Sequence, residues 1–251
     1  MFDLKEKVII VTGGAGGLGH PIAVALAKQG ADVVVTSRKL NNLEAVAKEI
    51  QAMDRKAMAV AADITDPKAL AEMTQKVMDQ FGHIDVLLNV AGINARFSAE
   101  EFDTKEYEKV ILYNVVGTFN CCQAVGRIMI KQKKGNIINM SSVRGRNGPG
   151  MGGSAYATSK GGVDSLTRTL AVEWAKYNIR VNALAPALVM TDMTRELLSQ
   201  PETYKRMTAE IPMARLGTPE DICGPAVMLA SDASSFMTGQ IIYIDGGLTA
   251  R

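Results

Sequence analysis

Histidine, cysteine and aromatic residues are scarce in this chain of 251 residues, and each scarcity removes a class of function. The two histidines, His20 and His83, stand far apart and neither lies in a cysteine or acidic cluster. A zinc site needs three or four such donors converging, so no metal is expected and any redox chemistry should be organic. The three cysteines, Cys121, Cys122 and Cys223, show no metal-ligand spacing. An odd count without a secretory signal reads as reduced thiols. Charge of one sign is lacking too. The 28 basic and 26 acidic residues leave a net +2, which gives no electrostatic footing for nucleic acid or an anionic membrane. No apolar run reaches the ~18 residues of a spanning helix. Asp3, Lys5 and Glu6 stand where a signal peptide would be apolar, so a cytoplasmic location is expected. The remaining composition, 47% hydrophobic and 22% charged, is that of an ordinary globular protein.

Strands and helices alternate from the start. The β-branched run Lys7–Val11 reads as a strand buried on both faces. Thr12–Gly19 then supplies a glycine-rich turn, followed by an apolar helix through Ile22, Ala23 and Leu26. Strand, glycine turn and helix in that order cradle a pyrophosphate, because glycines allow close backbone approach and the helix N-terminus favours an anion. A second strand, Val33–Val35, ends in Ser37 and Arg38 with no carboxylate beyond it. An acidic residue there would bind the ribose 2′-hydroxyl of NAD, whereas a guanidinium suits the 2′-phosphate of NADP. NADP is therefore favoured, with NAD as the alternative.

A helix over Asn41–Met53, a strand at Ala57–Ala61, and a helix capped by Asp66 and opened by Pro67 continue the pattern. Gly82 is read as that helix's C-cap, and a fourth strand runs Ile84–Asn89. One kinked helix or two should follow Phe102, carrying Asn114 on an apolar face. Ile137–Met140 and Ile179–Leu184 are further strands, the latter stopped by Pro186; a last one follows Gly239. A weakly patterned, methionine-bearing stretch over 191–216 reads as a lid. The expected fold is α/β: one domain over 1–251, with a doubly wound, Rossmann-like parallel sheet and helices on both faces. The segments around Gly13, Arg38, Asp63, Asn89, Ser142 and Pro186 all follow strands, so they should meet along one edge.

Tyr156 and Lys160, four residues apart, share a helix face. A nearby ammonium favours the phenolate, so such a tyrosine can exchange a proton with a carbonyl or alcohol near neutral pH. Alone the pair is a common helix pattern. Together with Thr12-Gly13…Gly17-Leu18-Gly19, Asn89-Val90-Ala91-Gly92, Asn114, Ser141-Ser142, Pro186…Thr191 and Asp245-Gly246-Gly247, it resembles the short-chain dehydrogenase/reductase superfamily in its single-domain form.

The resemblance implies an NAD(P)-dependent oxidoreductase that interconverts a carbonyl and a secondary alcohol. Tyr156 would be the general acid/base, and Lys160 would lower its pKa and bind the nicotinamide ribose. Ser142 would orient the substrate oxygen, and Asn114 would hold a proton-relaying water. Gly13, Ala15, Gly16 and Leu18 would line the pyrophosphate, Asp63 and Ile64 the adenine. Asn89 and Ala91 would lie along the cofactor, while Pro186, Val189 and Thr191 would face the carboxamide. A homotetramer is implied, with the Asn114 and Tyr156 helices at one interface and the C-terminal strand at another. Two positions depart from the family: Val90 replaces a second asparagine, and Ala187 replaces a glycine after Pro186.

Arg96 and Arg144, on loops beside the site, suit a carboxylate or phosphate on the substrate. A small polar substrate, such as a sugar acid, polyol or keto acid, is favoured, in the manner of gluconate 5-dehydrogenase-like members. The alternatives are a 3-oxoacyl-carrier-protein reductase and, from another class, a non-catalytic NADP-binding regulator.

Overall fold

The apolar runs become seven strands: β1 (Val8–Thr12), β2 (Asp32–Ser37), β3 (Ala57–Ala61), β4 (Val86–Asn89), β5 (Gly135–Met140), β6 (Ile179–Pro186) and β7 (Ile241–Ile244). They form one parallel sheet in the order β3-β2-β1-β4-β5-β6-β7. The doubly wound arrangement expected from the sequence is therefore what the chain adopts. The computed structural model describes residues 2–148, 152–191, 194 and 199–250. Part of the glycine-rich segment before Tyr156 (149–151) and part of the expected lid (192–193 and 195–198) lie outside them.

Period-two alternation divides the core. Ile9, Val11, Val33, Val35 and Leu88 point to one face of the sheet, under helices α1 (Gly19–Lys28) and α2 (Leu40–Gln51). Val8, Ile10, Val34 and Leu87 point to the other, under α3 (Pro67–Phe81) and the later α5 and α6. Each strand is thus apolar on both sides, as a parallel sheet between two helix layers requires. Helix α3 begins as expected. The Asp66 side chain accepts from Lys68 N at 2.8 Å, Pro67 opens the helix, and Gly82 closes it with φ 78°.

The region after Phe102 is neither one kinked helix nor simply two. Helix α4 (Thr104–Ile111) passes through a π-helical turn, Leu112–Val116, into α5 (Gly117–Gln132). Such a turn inserts an extra residue and marks functional positions in many helices. Asn114 sits in it. Helix α6 (Ser154–Trp174) carries Tyr156 and Lys160. Among the described residues, the shorter helices α7 (Pro201–Ala209) and α8 (Pro219–Ala230) lie between β6 and β7. No helix among the described residues is long and apolar enough to cross a membrane.

Strand β6 runs two residues past its expected end at Leu184 and takes in Pro186, which lies opposite Ile244. Proline lacks only the donor, and its carbonyl still accepts from the Ser142 hydroxyl at 3.4 Å. Ala187 is not among the residues with positive φ, so its β-carbon fits where the family has glycine. At Val90 the main chain is held by Thr12, whose hydroxyl accepts from the backbone N–H groups of Val90 and Ala91 at 3.1 and 3.3 Å.

Candidate active site

Strands β1 and β4 end level, with Thr12 opposite Asn89. The glycine turn leaves between them. Gly13 has φ 67°, and a β-carbon there would lie 2.9 Å from Ala91 N. At Gly19 it would lie 2.1 Å from the Gly13 carbonyl oxygen. At Gly16 it would meet only that same oxygen, at 3.3 Å, so this side of the turn is otherwise open. No side chain caps the N-terminus of α1 and its first turn holds no acid. A pyrophosphate fits such a cradle: bare backbone, an uncapped helix dipole and no competing carboxylate.

Beyond the turn lies a cavity of about 180 Å³. Leu18, Ser142, Tyr156, Pro186, Val189 and Thr191 line it, so residues from four separate stretches of the sequence meet as expected. Thr191 also closes on the glycine turn, since a β-carbon at Gly17 would come 2.8 Å from its Cβ. Arg96 and Arg144 line the same cavity. Asn114 lies alongside, buried: its Oδ1 accepts from Ile93 N at 2.8 Å, and its Nδ2 donates to the Ile93 carbonyl and Ser159 Oγ, each at 2.9 Å. Ser159 Oγ in turn donates to the Tyr156 carbonyl at 2.7 Å. The π-helical turn is thereby tied to the Tyr156 helix.

Lys160 is buried and donates to the Met140 carbonyl at 2.7 Å, with its Nζ 5.4 Å from the centre of the Tyr156 ring. Burial lowers its pKa to about 8, against the pull of Asp164. The sequence led us to expect Lys160 to lower the pKa of Tyr156. Instead, burial raises the phenol above its ordinary value, and the opposing influences are the Ser142 hydrogen bond and the charges of Arg96 and Arg144. The ammonium is spent on a backbone carbonyl, a partner that side-chain identity does not reveal.

Asn89 stands at the end of β4, its amide donating to Asn139 Oδ1 at 2.9 Å while its own Oδ1 is buried and unpartnered. Ser37, Arg38, Asp63 and Ile64 gather at the far end of the cleft, around the ends of β2 and β3. Ala15 packs against the α1-side core.

Two residues at the site carried no assignment in the sequence. Asn94, in the loop after β4, lines the cavity with a buried Oδ1 that has no partner. Asp164, one turn beyond Lys160, is buried and accepts from the Ser141 hydroxyl. Its i,i+4 spacing from Lys160 was the available signal.

Together these features define a Rossmann-type oxidoreductase site. Comparison with known proteins agrees: the family described as enoyl-(acyl carrier protein) reductase matches residues 13–249. The 3-oxoacyl-[acyl-carrier-protein] reductase of Thermotoga maritima is 40% identical, over 98% of each chain. The 2-dehydro-3-deoxy-D-gluconate 5-dehydrogenase of Dickeya dadantii is 39% identical, over 100% of this chain and 98% of the other. A gluconate 5-dehydrogenase from Burkholderia cenocepacia, solved in complex with NADP and tartrate, superposes with a TM-score of 0.96 at 32% identity, over 100% of this chain and 98% of that one. The chain belongs to the short-chain dehydrogenase/reductase family. It is an oxidoreductase of CH–OH and carbonyl groups.

The buried ammonium has a consequence for stability. The folded pKa of Lys160, about 8, lies below the ordinary 10.5, so between these values the unfolded chain binds the proton more tightly. Its cost is full below about pH 8 and is relieved as pH rises toward 10.5. Lys160→Met removes this cost, so the stability of the variant relative to wild type should be highest at neutral pH and should decline as pH rises from about 8 toward 10.5, as melting temperatures across that range would show. A difference between the two proteins that does not change with pH would contradict this account.

Proposed function

We propose that the protein is an NADP-preferring dehydrogenase/reductase of a small hydroxy or keto acid of the sugar-acid type, with Tyr156 as its acid/base. The observation that carries this reading is the presence of two guanidinium groups, Arg96 and Arg144, on the wall of the cavity that holds Ser142 and Tyr156. Two guanidiniums without a carboxylate among the described lining residues favour an anionic substrate, which they can hold through paired hydrogen bonds. At about 180 Å³, the cavity is below the usual range for ligand pockets. A six-carbon acid suits that size better than a long acyl chain. The resemblance to the Dickeya and Burkholderia enzymes supports the same reading, the latter having been crystallised with the hydroxy acid tartrate.

The bound nicotinamide would supply or take the hydride; the chain would manage position and proton. Arg96 and Arg144 would fix the acid end of the substrate, so that its reacting oxygen lies between Ser142 Oγ and the Tyr156 hydroxyl. Tyr156 would then give its proton to a carbonyl oxygen, or accept one from an alcohol. Burial alone opposes the phenolate, and the two arginines favour it. Substrate binding and proton transfer would thus share the same charges. Lys160 and Asn114, both buried beside the Tyr156 helix, would belong to the path by which its proton is replaced. Helix α7 would close above, since its Met207 already reaches the cavity wall.

We also infer a homotetramer. Leu112, Val116 and Phe119 are 46%, 40% and 39% exposed on one stretch of the α4–α5 unit. At the sheet edge all four residues of β7 are only half-buried, and Phe236 nearby is fully exposed. Apolar surface of this kind marks contact between subunits. Light scattering should give four chains per particle, and Val116→Asp should yield a smaller species; an unaltered wild-type monomer would refute the assembly.

For the reaction, a panel of sugar acids, keto acids and a 3-oxoacyl thioester should be run with NADPH and NADP. Turnover is expected on the acids and should fall at least ~100-fold in Tyr156→Phe. Arg96→Ala should raise KM for the acids more than it lowers kcat. Turnover of the thioester alone would replace this reading with the carrier-protein reductase. Equal rates in Tyr156→Phe would remove catalysis by Tyr156 altogether. For the cofactor, Arg38→Asp should move the preference from NADP toward NAD, and an unchanged preference would show that Arg38 is not the selector.

A further inference from the structure

At the opposite end of the cleft from Tyr156, the Arg38 guanidinium lies over the ring of Tyr113, 5.0 Å from its centre. Among the described residues Arg38 makes no ion pair. Its seat is an aromatic face. This matters chemically, because a carboxylate partner would consume the in-plane N–H donors, whereas a ring holds the cation by its flat side. Among the described residues no carboxylate takes up its donors, so they can serve a phosphate.

Tyr113 is itself placed by the segment that the sequence assigns to adenine. It belongs to the π-helical turn, and the residues of the same helical unit that follow it at i+4 and i+7 both meet Ile64. Gly117 lets the Ile64 side chain approach, since a β-carbon there would come within 2.7 Å of it. Asn120 Nδ2 donates to the Ile64 carbonyl at 3.1 Å. Burial and the neighbouring Asp63 carboxylate both raise the Tyr113 phenol above its ordinary pKa, so the ring stays neutral and keeps its hydroxyl proton at working pH.

We propose that Tyr113 is a positioning residue for cofactor selection: its ring seats the Arg38 guanidinium at the ribose end of the cleft, so the preference for a 2′-phosphorylated dinucleotide depends on the pair. The proposal rests on the reading that Arg38 meets the 2′-phosphate. One turn of π-helix would then serve both ends of the cleft, with Tyr113 facing the adenosine end and Asn114 the catalytic end.

The test is direct binding, which needs no substrate. NADPH and NADH are titrated into the purified protein, and dissociation constants are read from nucleotide fluorescence. Tyr113→Leu should weaken NADPH about three- to fivefold and leave NADH unchanged, while Tyr113→Phe keeps the wild-type ratio. Tyr113→Met offers a second side chain without a ring should the leucine variant melt early. In an Arg38→Ala background, Tyr113→Leu should have no further effect on the ratio. Equal weakening of both nucleotides would make Tyr113 a mere wall of the adenine pocket and overturn the proposal, as would an NADPH-specific loss that persists without Arg38. If Arg38→Ala alone leaves the ratio unchanged, it is the assignment of Arg38 to the 2′-phosphate that fails.

Discussion

Everything at the cleft follows from the point where β1 and β4 end side by side and their chains leave in opposite directions. β1 leads by way of α1 to β2 on one side, and β4 leads by way of α4 and α5 to β5 on the other. At such a point in a parallel sheet the connections diverge and a crevice must open. The crevice is narrow at its floor: Gly13 lies so close to Ala91 that a β-carbon would come 2.9 Å from a backbone atom. Thr12 bonds the two N–H groups that follow Asn89. The backbone is thus fixed before any functional side chain is placed, and the glycine turn, the Asn94 loop and the Ser142 loop inherit their positions from it.

Polar burial then fixes the catalytic end. Lys160, Asp164, Ser141, Ser159 and Asn114 are all buried, an unusual density of polar groups for a core, and each needs partners. They find them in one another and in main-chain groups: Lys160 in the Met140 carbonyl, Asp164 in the Ser141 hydroxyl, Asn114 in Ile93 and Ser159. Each bond crosses between elements, so β5, the loop after β4, the π-helical turn and α6 are locked in a single arrangement. The buried ammonium, held near a pKa of about 8, is costly to the fold and is tolerated at the site. Local rules of packing are broken where chemistry needs them broken.

Most of the frame was legible in the sequence because it depends on local and periodic signals. Strand β3 falls on the expected residues, and Asp66, Pro67 and Gly82 cap α3 as side-chain chemistry dictates. That Ser142 and Pro186 meet on one cavity followed from topology, since strand ends in a parallel sheet share an edge, whereas Tyr156, Val189 and Thr191 were placed there only by the family resemblance. The π-helical turn was not legible. Its one-residue phase shift disturbs an apolar pattern no more than a mild kink does, so Tyr113 and Asn114 could not be assigned opposite directions. Nor were Asn94 and Asp164, whose roles depend on which groups surround them after folding.

The direction of the Tyr156 shift shows most clearly what a spacing rule leaves out. A lysine four residues on implies a cation near the phenol, yet the free energy of that contact depends on how the ammonium is spent. Here it is bonded to a main-chain oxygen, and its own charge is disfavoured by burial. The cations that oppose the rise of Tyr156 come instead from loops distant in sequence, at Arg96 and Arg144. If those arginines bind the acid group of a substrate, their charge is partly neutralised on binding, and the phenol becomes a better proton holder when the site is filled. A phenol that holds its proton more firmly would release it only to an oxygen that has become strongly basic. The substrate's charge would then set the timing of the proton.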